Sequence, residues 1–139
     1  MSYGLILSAH LFTTFAMAGI IWFVQIVHYP LLSKMPREGF PLIEREHCDR
    51  TGVVVGPLMV IEAFTLGMLL LQGVISPLFL LSALLLGIVW LSTIIFQIPC
   101  HRSLLGGWDA QVHRRLVLTN WIRTAAWTLR SVIVAGIFI

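Results

Sequence analysis

Four apolar segments, each about as long as a bilayer is thick, constrain this sequence more than any other feature. They cover approximately residues 4–27, 53–72, 77–98 and 116–139. An α-helix rises 1.5 Å per residue, so about 20 residues cross the hydrocarbon core. Because 58% of the 139 residues are hydrophobic and 11% are charged, the composition is not that of a soluble globule. We predict an all-α fold, with residues 1–139 forming one integral membrane domain, an antiparallel four-helix bundle.

Prolines and a charged stretch mark the expected ends of these helices. The first helix is expected to stop at His28-Tyr29-Pro30 and the third at Pro99, since proline disfavours helical geometry in the residue before it. Residues 31–51 are the charge-rich part of the chain, within which LIEREHCDR is expected to form a short interfacial helix. The long links are then residues 29–51 and 99–115.

The basic residues predict how the bundle is oriented. Seven of them lie in the two long links and none lies in the opposite loops: Lys34, Arg37, Arg45, Arg50, Arg102, Arg114 and Arg115. Cytoplasmic loops carry an excess of Lys and Arg, so we place both links in the cytoplasm and both termini outside, in a multi-pass protein of the cell (inner) membrane. The lipid bilayer is an expected partner. Nucleic acid is not, because these residues flank apolar segments and form no exposed basic face.

This topology brings four histidines to the same depth, at the cytoplasmic boundary: His28, His47, His101 and His113. Glu44 precedes His47 by three residues, the spacing at which one helix offers a carboxylate and an imidazole to one metal. We predict that these five residues bind a transition metal such as iron, copper or zinc. A zinc site from His47-Cys48 and Cys100-His101 would need irregular backbone. A polar cluster without a cofactor is the alternative.

Haem b is a second candidate cofactor. Imidazoles on several helices suit axial ligation of haem iron, with nearby arginines meeting the propionates, and the absence of a C-x-x-C-H motif excludes covalent attachment. Helical spacing places Gln25 on the same face as His28, and Gln97 on the same face as His101. Tryptophan rings supply flat apolar walls. The predicted cofactor-binding residues are His28, His101, His113, Gln25, Gln97, Trp121 and Trp127.

Three charged residues lie inside apolar segments: Glu62, Arg123 and Arg130. An isolated charge there costs at least a few kcal/mol, so each needs a partner or a neutral form. We expect Glu62 and Arg130 to approach one another or to share a polar cavity. Together with Asn120, these residues are the predicted catalytic residues, which position an anionic or phenolic group. A plain ion pair that fixes helix packing is the alternative.

The chain also contains a short internal similarity. WFVQIVHYPLL at residues 22–32 and IFQIPCHRSLL at residues 95–105 share Gln-Ile, a histidine three or four residues after the glutamine, and a final Leu-Leu. Two hairpins in the same orientation would form a parallel repeat with sites at equivalent depth. Chance similarity between apolar helices explains the pattern equally well.

The run FQIPCHRSLLGGWDAQVHRRLVLTNWIRTAAW resembles the carboxyl half of the anthrone oxygenase-like family of small four-helix membrane proteins. The matching positions are Pro99, Asn120, Trp121, Arg123 and Thr124, and this sequence has Cys100-His101 where an Asn-containing step is expected. The first helix, with His10 and a terminal Val-His-Tyr-Pro, is similar to small haem-binding membrane oxidoreductases of the protoporphyrinogen-oxidising type. These resemblances imply a membrane bundle and oxidation of a lipophilic aromatic.

The sequence therefore predicts a membrane-embedded oxidoreductase or oxygenase-like protein, with a cytoplasmic-side His/Glu/Arg site and a lipophilic small-molecule substrate that enters from lipid. The alternative is a non-enzymatic membrane accessory or scaffold subunit whose polar residues specify helix packing. A small carrier is a third reading, supported by Glu62 and Arg130. The sequence leaves open association into a homo-oligomer or a larger membrane complex.

Overall fold

Four helices account for nearly all of the computed structural model, which describes residues 2–139. They are α1 (Tyr3–Leu32), α2 (Phe40–Leu71), α3 (Pro77–Leu104) and α4 (Ala110–Phe138). The described residues contain no strand. The prediction of an all-α, four-helix fold is confirmed.

Three of these helices, α1, α2 and α3, are long and apolar enough to cross a membrane. Large apolar side chains cover their outer faces, for example Val53, Leu71 and Leu84. Such a surface is unstable in water and is suited to contact with lipid acyl chains. α4 carries two arginines in its apolar part and is less apolar than the other three.

Two prolines expected to end helices do not end them. α1 passes Pro30 and α3 passes Pro99 because each widens into a π-helical turn, Val24–His28 and Thr93–Gln97, just before its proline. In these turns the Tyr29 amide donates to the Val24 carbonyl and the Ile98 amide to the Thr93 carbonyl, five residues back. The wider turn makes room for the proline ring and accommodates the absence of a proline N–H, so the helix does not end there.

The charged segment is not a separate interfacial helix either. LIEREHCDR lies inside α2, which begins at Phe40 and continues without a break to Leu71. Near the start of α2, Phe40 and Glu44 are fully buried and pack into the bundle, so tertiary contacts extend the helix beyond the apolar segment. The two π turns also align the two similar segments differently from the sequence comparison, which paired Gln25 with Gln97. Pro30 and Pro99 follow their π turns at the same distance and lie 69 positions apart, whereas Gln25 and Gln97 lie 72 apart.

The bundle is closed on three sides and looser on the fourth. α1 packs along α2 and α4, and α3 packs along α4, whereas α2 meets α3 chiefly at the Ile98–Leu104 end. The central packing cluster joins Met17 and Ile21 to Met59, Val89 and Trp127. The looser side leaves a cavity of about 320 Å³ between α1, α2 and α3.

Candidate functional site

This cavity is mostly apolar, and its polar side chains lie at one end. Met17, Ile20, Ile21, Val55 and Met59 form apolar walls, while Tyr29, His47, Cys48, Gln97, His101 and Arg123 supply polar atoms. α4 contributes one residue to the lining, Arg123. A concave apolar site with a few convergent polar groups is the usual form of a small-molecule site.

Arg123 is held at the cavity by neutral partners. Its Nη1 donates to Asn120 Oδ1 over 3.3 Å, and Asn120 Nδ2 donates in turn to Gln25 Oε1 over 2.8 Å. Gln25 completes the chain by donating to the Val117 carbonyl over 3.3 Å. The guanidinium lies 5.1 Å from the centre of the Trp127 ring, so an aromatic face also supports it.

No carboxylate neutralises Arg123. In residues 2–139 the close contacts between a basic side chain and a carboxylate are Arg50–Glu46, His101–Glu44 and Arg130–Glu62, and none includes Arg123. Arg123 is only 8% exposed, and its Nε has no hydrogen-bond partner. A buried guanidinium without a counter-charge favours binding of an anionic or strongly polar oxygen.

Three of the four predicted histidines converge at the polar end of the cavity. The His28 and His47 rings stack with their centres 4.2 Å apart, and the His47 and His101 rings are 5.2 Å apart. Thr51 Oγ1 lies 3.1 Å from His47 Nδ1. The stacked rings leave no room for a porphyrin between them, so in this arrangement His28 and His47 cannot bind one haem iron from opposite sides.

A chain of three side chains crosses from α2 through α3 to α1. His101 Nδ1 donates to Glu44 Oε1 over 2.6 Å, and Tyr29 Oη lies 3.4 Å from His101 Nε2. Glu44 is fully buried, and its second oxygen, Oε2, has no hydrogen-bond partner. Cys48 Sγ, one helical turn after Glu44, lies 3.7 Å from Oε1.

His113 is close to this cluster but turned away from it. Its Nε2 donates to the Tyr29 carbonyl over 3.0 Å, and its ring packs on Trp108 at 4.7 Å between centres. Burial lowers the pKa of this imidazole, which precedes the apolar part of α4, below its ordinary value. A neutral ring committed to a backbone carbonyl ties α1 to α4.

Glu62 and Arg130 meet, as predicted, but outside the cavity lining. Arg130 Nη2 lies 3.2 Å from Glu62 Oε1, close enough for an ion pair although the atoms are not aligned as a hydrogen bond. Trp127 Nε1 donates to Glu62 Oε2 over 3.0 Å, and Arg130 Nη1 donates to the Ser82 carbonyl over 3.2 Å. Both charged side chains are fully buried, which favours the packing interpretation.

Two further predicted site residues, Gln97 and Trp121, lie in different places. Gln97 lines the cavity, where Ser92 Oγ donates to its Oε1 and its Nε2 donates to Thr119 Oγ1, both over 3.1 Å. Trp121 is on the outer surface, with its ring edge on to Trp22 at 5.7 Å between centres.

Sequence analysis did not single out Tyr29 or use Cys48 in its main ligand set. The spacing of Cys48, four residues after Glu44, is a helical signal that was available. Tyr29 had none, because it follows His28, which helical spacing places on the inward face of the first helix. The π turn inserts one extra residue before it and so changes the facing by about 100°.

Comparisons with known proteins add no relative. No protein-family model, no curated protein and no solved structure matches this chain. The fold and the site alone therefore define the class of this protein. It is a four-helix bundle in which three helices are long and apolar enough to cross a membrane, with a cavity between the helices that has a polar end.

Proposed function

We propose that this protein is a membrane-embedded oxidoreductase of the oxygenase-like kind, which binds a lipophilic aromatic ligand carrying a phenolic or anionic group. One observation carries the proposal: Arg123 is buried, lines the cavity and has no carboxylate partner. Such a guanidinium is costly in an apolar bundle unless a ligand oxygen receives it.

The shape of the cavity supports a ligand that arrives from the bilayer. α2 and α3 meet chiefly at the Ile98–Leu104 end of α3, so the seam between these two helices is loosely packed beside a cavity that α1, α2 and α3 line. A lipophilic molecule in the acyl-chain region would reach this seam without crossing water. Its flat apolar body would fill the walls while its polar oxygen meets Arg123.

The imidazole of His47 supplies the acid–base part of the proposed reaction. Oxidation of an activated methylene group by O₂ forms a carbonyl group and water, and it requires removal of a proton from the ring system. His47 lines the same cavity as Arg123 and is the proposed base. Arg123 would stabilise the phenolate or enolate oxygen that develops as the proton leaves.

We also propose that all four helices cross the membrane, with both termini outside. The arginines of α4 are the main objection, and both face inward: Arg123 is nearly buried and Arg130 is fully buried. The outward residues of α4 include Leu118, Ile122 and Val132, so the surface that meets lipid is apolar. The distribution of basic residues supports this orientation.

A non-catalytic accessory subunit is the second candidate. The observation that favours it is the Glu62–Arg130 pair, which joins α2 to α4 outside the cavity lining. This pair supports a packing role for buried charges, as expected of a scaffold.

Binding of dithranol, a hydroxylated anthrone, to protein in lipid nanodiscs tests the main proposal. We expect saturable quenching of tryptophan fluorescence and O₂ uptake faster than in protein-free nanodiscs. Arg123→Gln should weaken binding by about 10-fold or more, since a hydrogen bond to a charged group contributes about 1.5–3 kcal/mol. Arg114→Gln, on the exposed face of the same helix, is the matched control and should bind as the wild type does. Equal affinity in all three proteins would contradict the proposal.

A further inference from the structure

Three side chains beside the cavity hold atoms that the proposed ligand contacts do not use. Glu44 and Cys48 lie one turn apart on α2, so they face the same way, and His101 meets them from α3. The carboxylate oxygen, the thiol sulfur and an imidazole nitrogen all lie within 4.8 Å of one another. We propose that these three residues bind a divalent transition-metal ion, for which Zn²⁺ is the best match.

The donor set selects the class of ion. A thiolate, an imidazole and a carboxylate together suit Zn²⁺ and similar borderline-soft ions. Mg²⁺ and Ca²⁺ prefer oxygen ligands alone. Glu44 is fully buried and its Oε2 accepts no hydrogen bond, so the carboxylate has unused capacity and needs positive charge nearby.

The three donor atoms would need to move only slightly to bind a zinc ion. Bonds of about 2.0–2.1 Å to nitrogen and oxygen and 2.3 Å to sulfur, at tetrahedral angles, place donor atoms about 3.3–3.6 Å apart. Cys48 Sγ and Glu44 Oε1 are already 3.7 Å apart. His101 Nδ1 and Glu44 Oε1 are 2.6 Å apart, and this pair would open by about 0.7 Å as the metal replaces the shared proton.

His101 also has a neighbour that can hydrogen-bond to its second ring nitrogen. Histidines that bind a metal usually make a hydrogen bond through their other ring nitrogen, which fixes the tautomer. Tyr29 Oη lies 3.4 Å from His101 Nε2 and fills this position. With Nδ1 on the metal, Nε2–H would donate to the phenol oxygen.

Three protein ligands leave one tetrahedral position, as in catalytic zinc sites. Cys48 and His101 also line the cavity, so water or a ligand oxygen in the cavity could supply the fourth ligand. That last role rests on the proposed function. The metal site itself rests on the three side chains and on no particular organic ligand.

Titration with Co²⁺, an absorbing substitute for Zn²⁺, tests the site in metal-stripped protein in nanodiscs. We expect a thiolate-to-cobalt absorption band that saturates at one ion per chain and disappears when Zn²⁺ is added. Cys48→Ser should abolish the band and lower affinity by about 100-fold or more, since losing even an outer partner of a ligand costs about 10–100-fold. Cys100→Ser is the matched control, because Cys100 is the second cysteine and lies outside the cluster.

Two further variants keep the outcome interpretable if Cys48→Ser does not fold. Glu44→Gln keeps the thiol, so it should retain the band with at least about 10-fold weaker Co²⁺ binding. Arg123→Gln should bind Co²⁺ as the wild type does while losing dithranol affinity, which separates failure of the metal site from failure of the proposed function. No band in the wild type, or loss of the band in Cys100→Ser but not in Cys48→Ser, would overturn the inference.

Discussion

The buried pair Glu62–Arg130 gives a prediction that depends on which partner is removed. Both side chains are fully buried, and Glu62 accepts one hydrogen bond from Trp127. Glu62→Gln leaves Arg130 charged, with the Ser82 carbonyl as its remaining close partner. An unpaired charge of this kind costs about 3–5 kcal/mol, similar to the 2.5–3.5 kcal/mol for arginine at the centre of a membrane helix.

Arg130→Met should cost less than Glu62→Gln. A carboxyl group can take up a proton and become neutral, whereas a guanidinium cannot lose one. The protonated Glu62 would still accept from Trp127 Nε1. The double variant Glu62→Gln/Arg130→Met carries no buried charge at this place, and we expect it to lie within about 2 kcal/mol of the wild type.

Reversible unfolding in mixed micelles, followed by far-ultraviolet circular dichroism, measures these free energies of unfolding. Glu46→Gln, which removes the same group from the exposed Arg50–Glu46 pair, is the matched control and should change stability by about 0.5 kcal/mol or less. A loss below about 1 kcal/mol for Glu62→Gln, or additive losses in the double variant, would refute this reasoning.

Two further predictions concern packing and topology. Trp127→Ala should destabilise the protein by about 3–5 kcal/mol, because this ring is fully buried in the central cluster, whereas Trp121→Ala removes an outward ring and should cost less than half as much in the same unfolding measurement. In a cysteine-free background, Ser76→Cys should react with a membrane-impermeant maleimide added outside intact cells, and Ser103→Cys should react only after lysis. The reverse labelling pattern would place the termini inside.

The fold was predictable because its signals are periodic and local. Segment length and composition predict the four helices. The spacing of Gln97 and His101 places both side chains on one face of α3, and both line the cavity. The helix ends were wrong at Pro30 and Pro99. A proline is read from the sequence as a break, whereas the π turn that accommodates it depends on packing by neighbouring helices and has no signature of its own.

The candidate site was predictable only where topology decided it. Helix topology brings three histidines to the same end of the bundle, but it does not say which way each ring turns. His113 is directed to the Tyr29 carbonyl, and Trp121 points outward, both because of the rotation of α4 about its axis. That rotation is set by the contacts of the whole bundle, so a single-helix pattern cannot give it.

The two arginines of α4 provide the strongest argument for a function beyond packing. They are seven residues apart, so they lie two turns apart on nearly the same face of the helix. Arg130 has a carboxylate partner and closes the bundle, which is how a structural charge is normally satisfied. Arg123 has an amide chain through Asn120 to Gln25 and a cavity beside it. If packing alone determined both positions, Arg123 would have a carboxylate partner as Arg130 does, or an apolar residue would take its place. The unpaired charge of Arg123 is the reason for our proposal that a ligand supplies the missing counterpart.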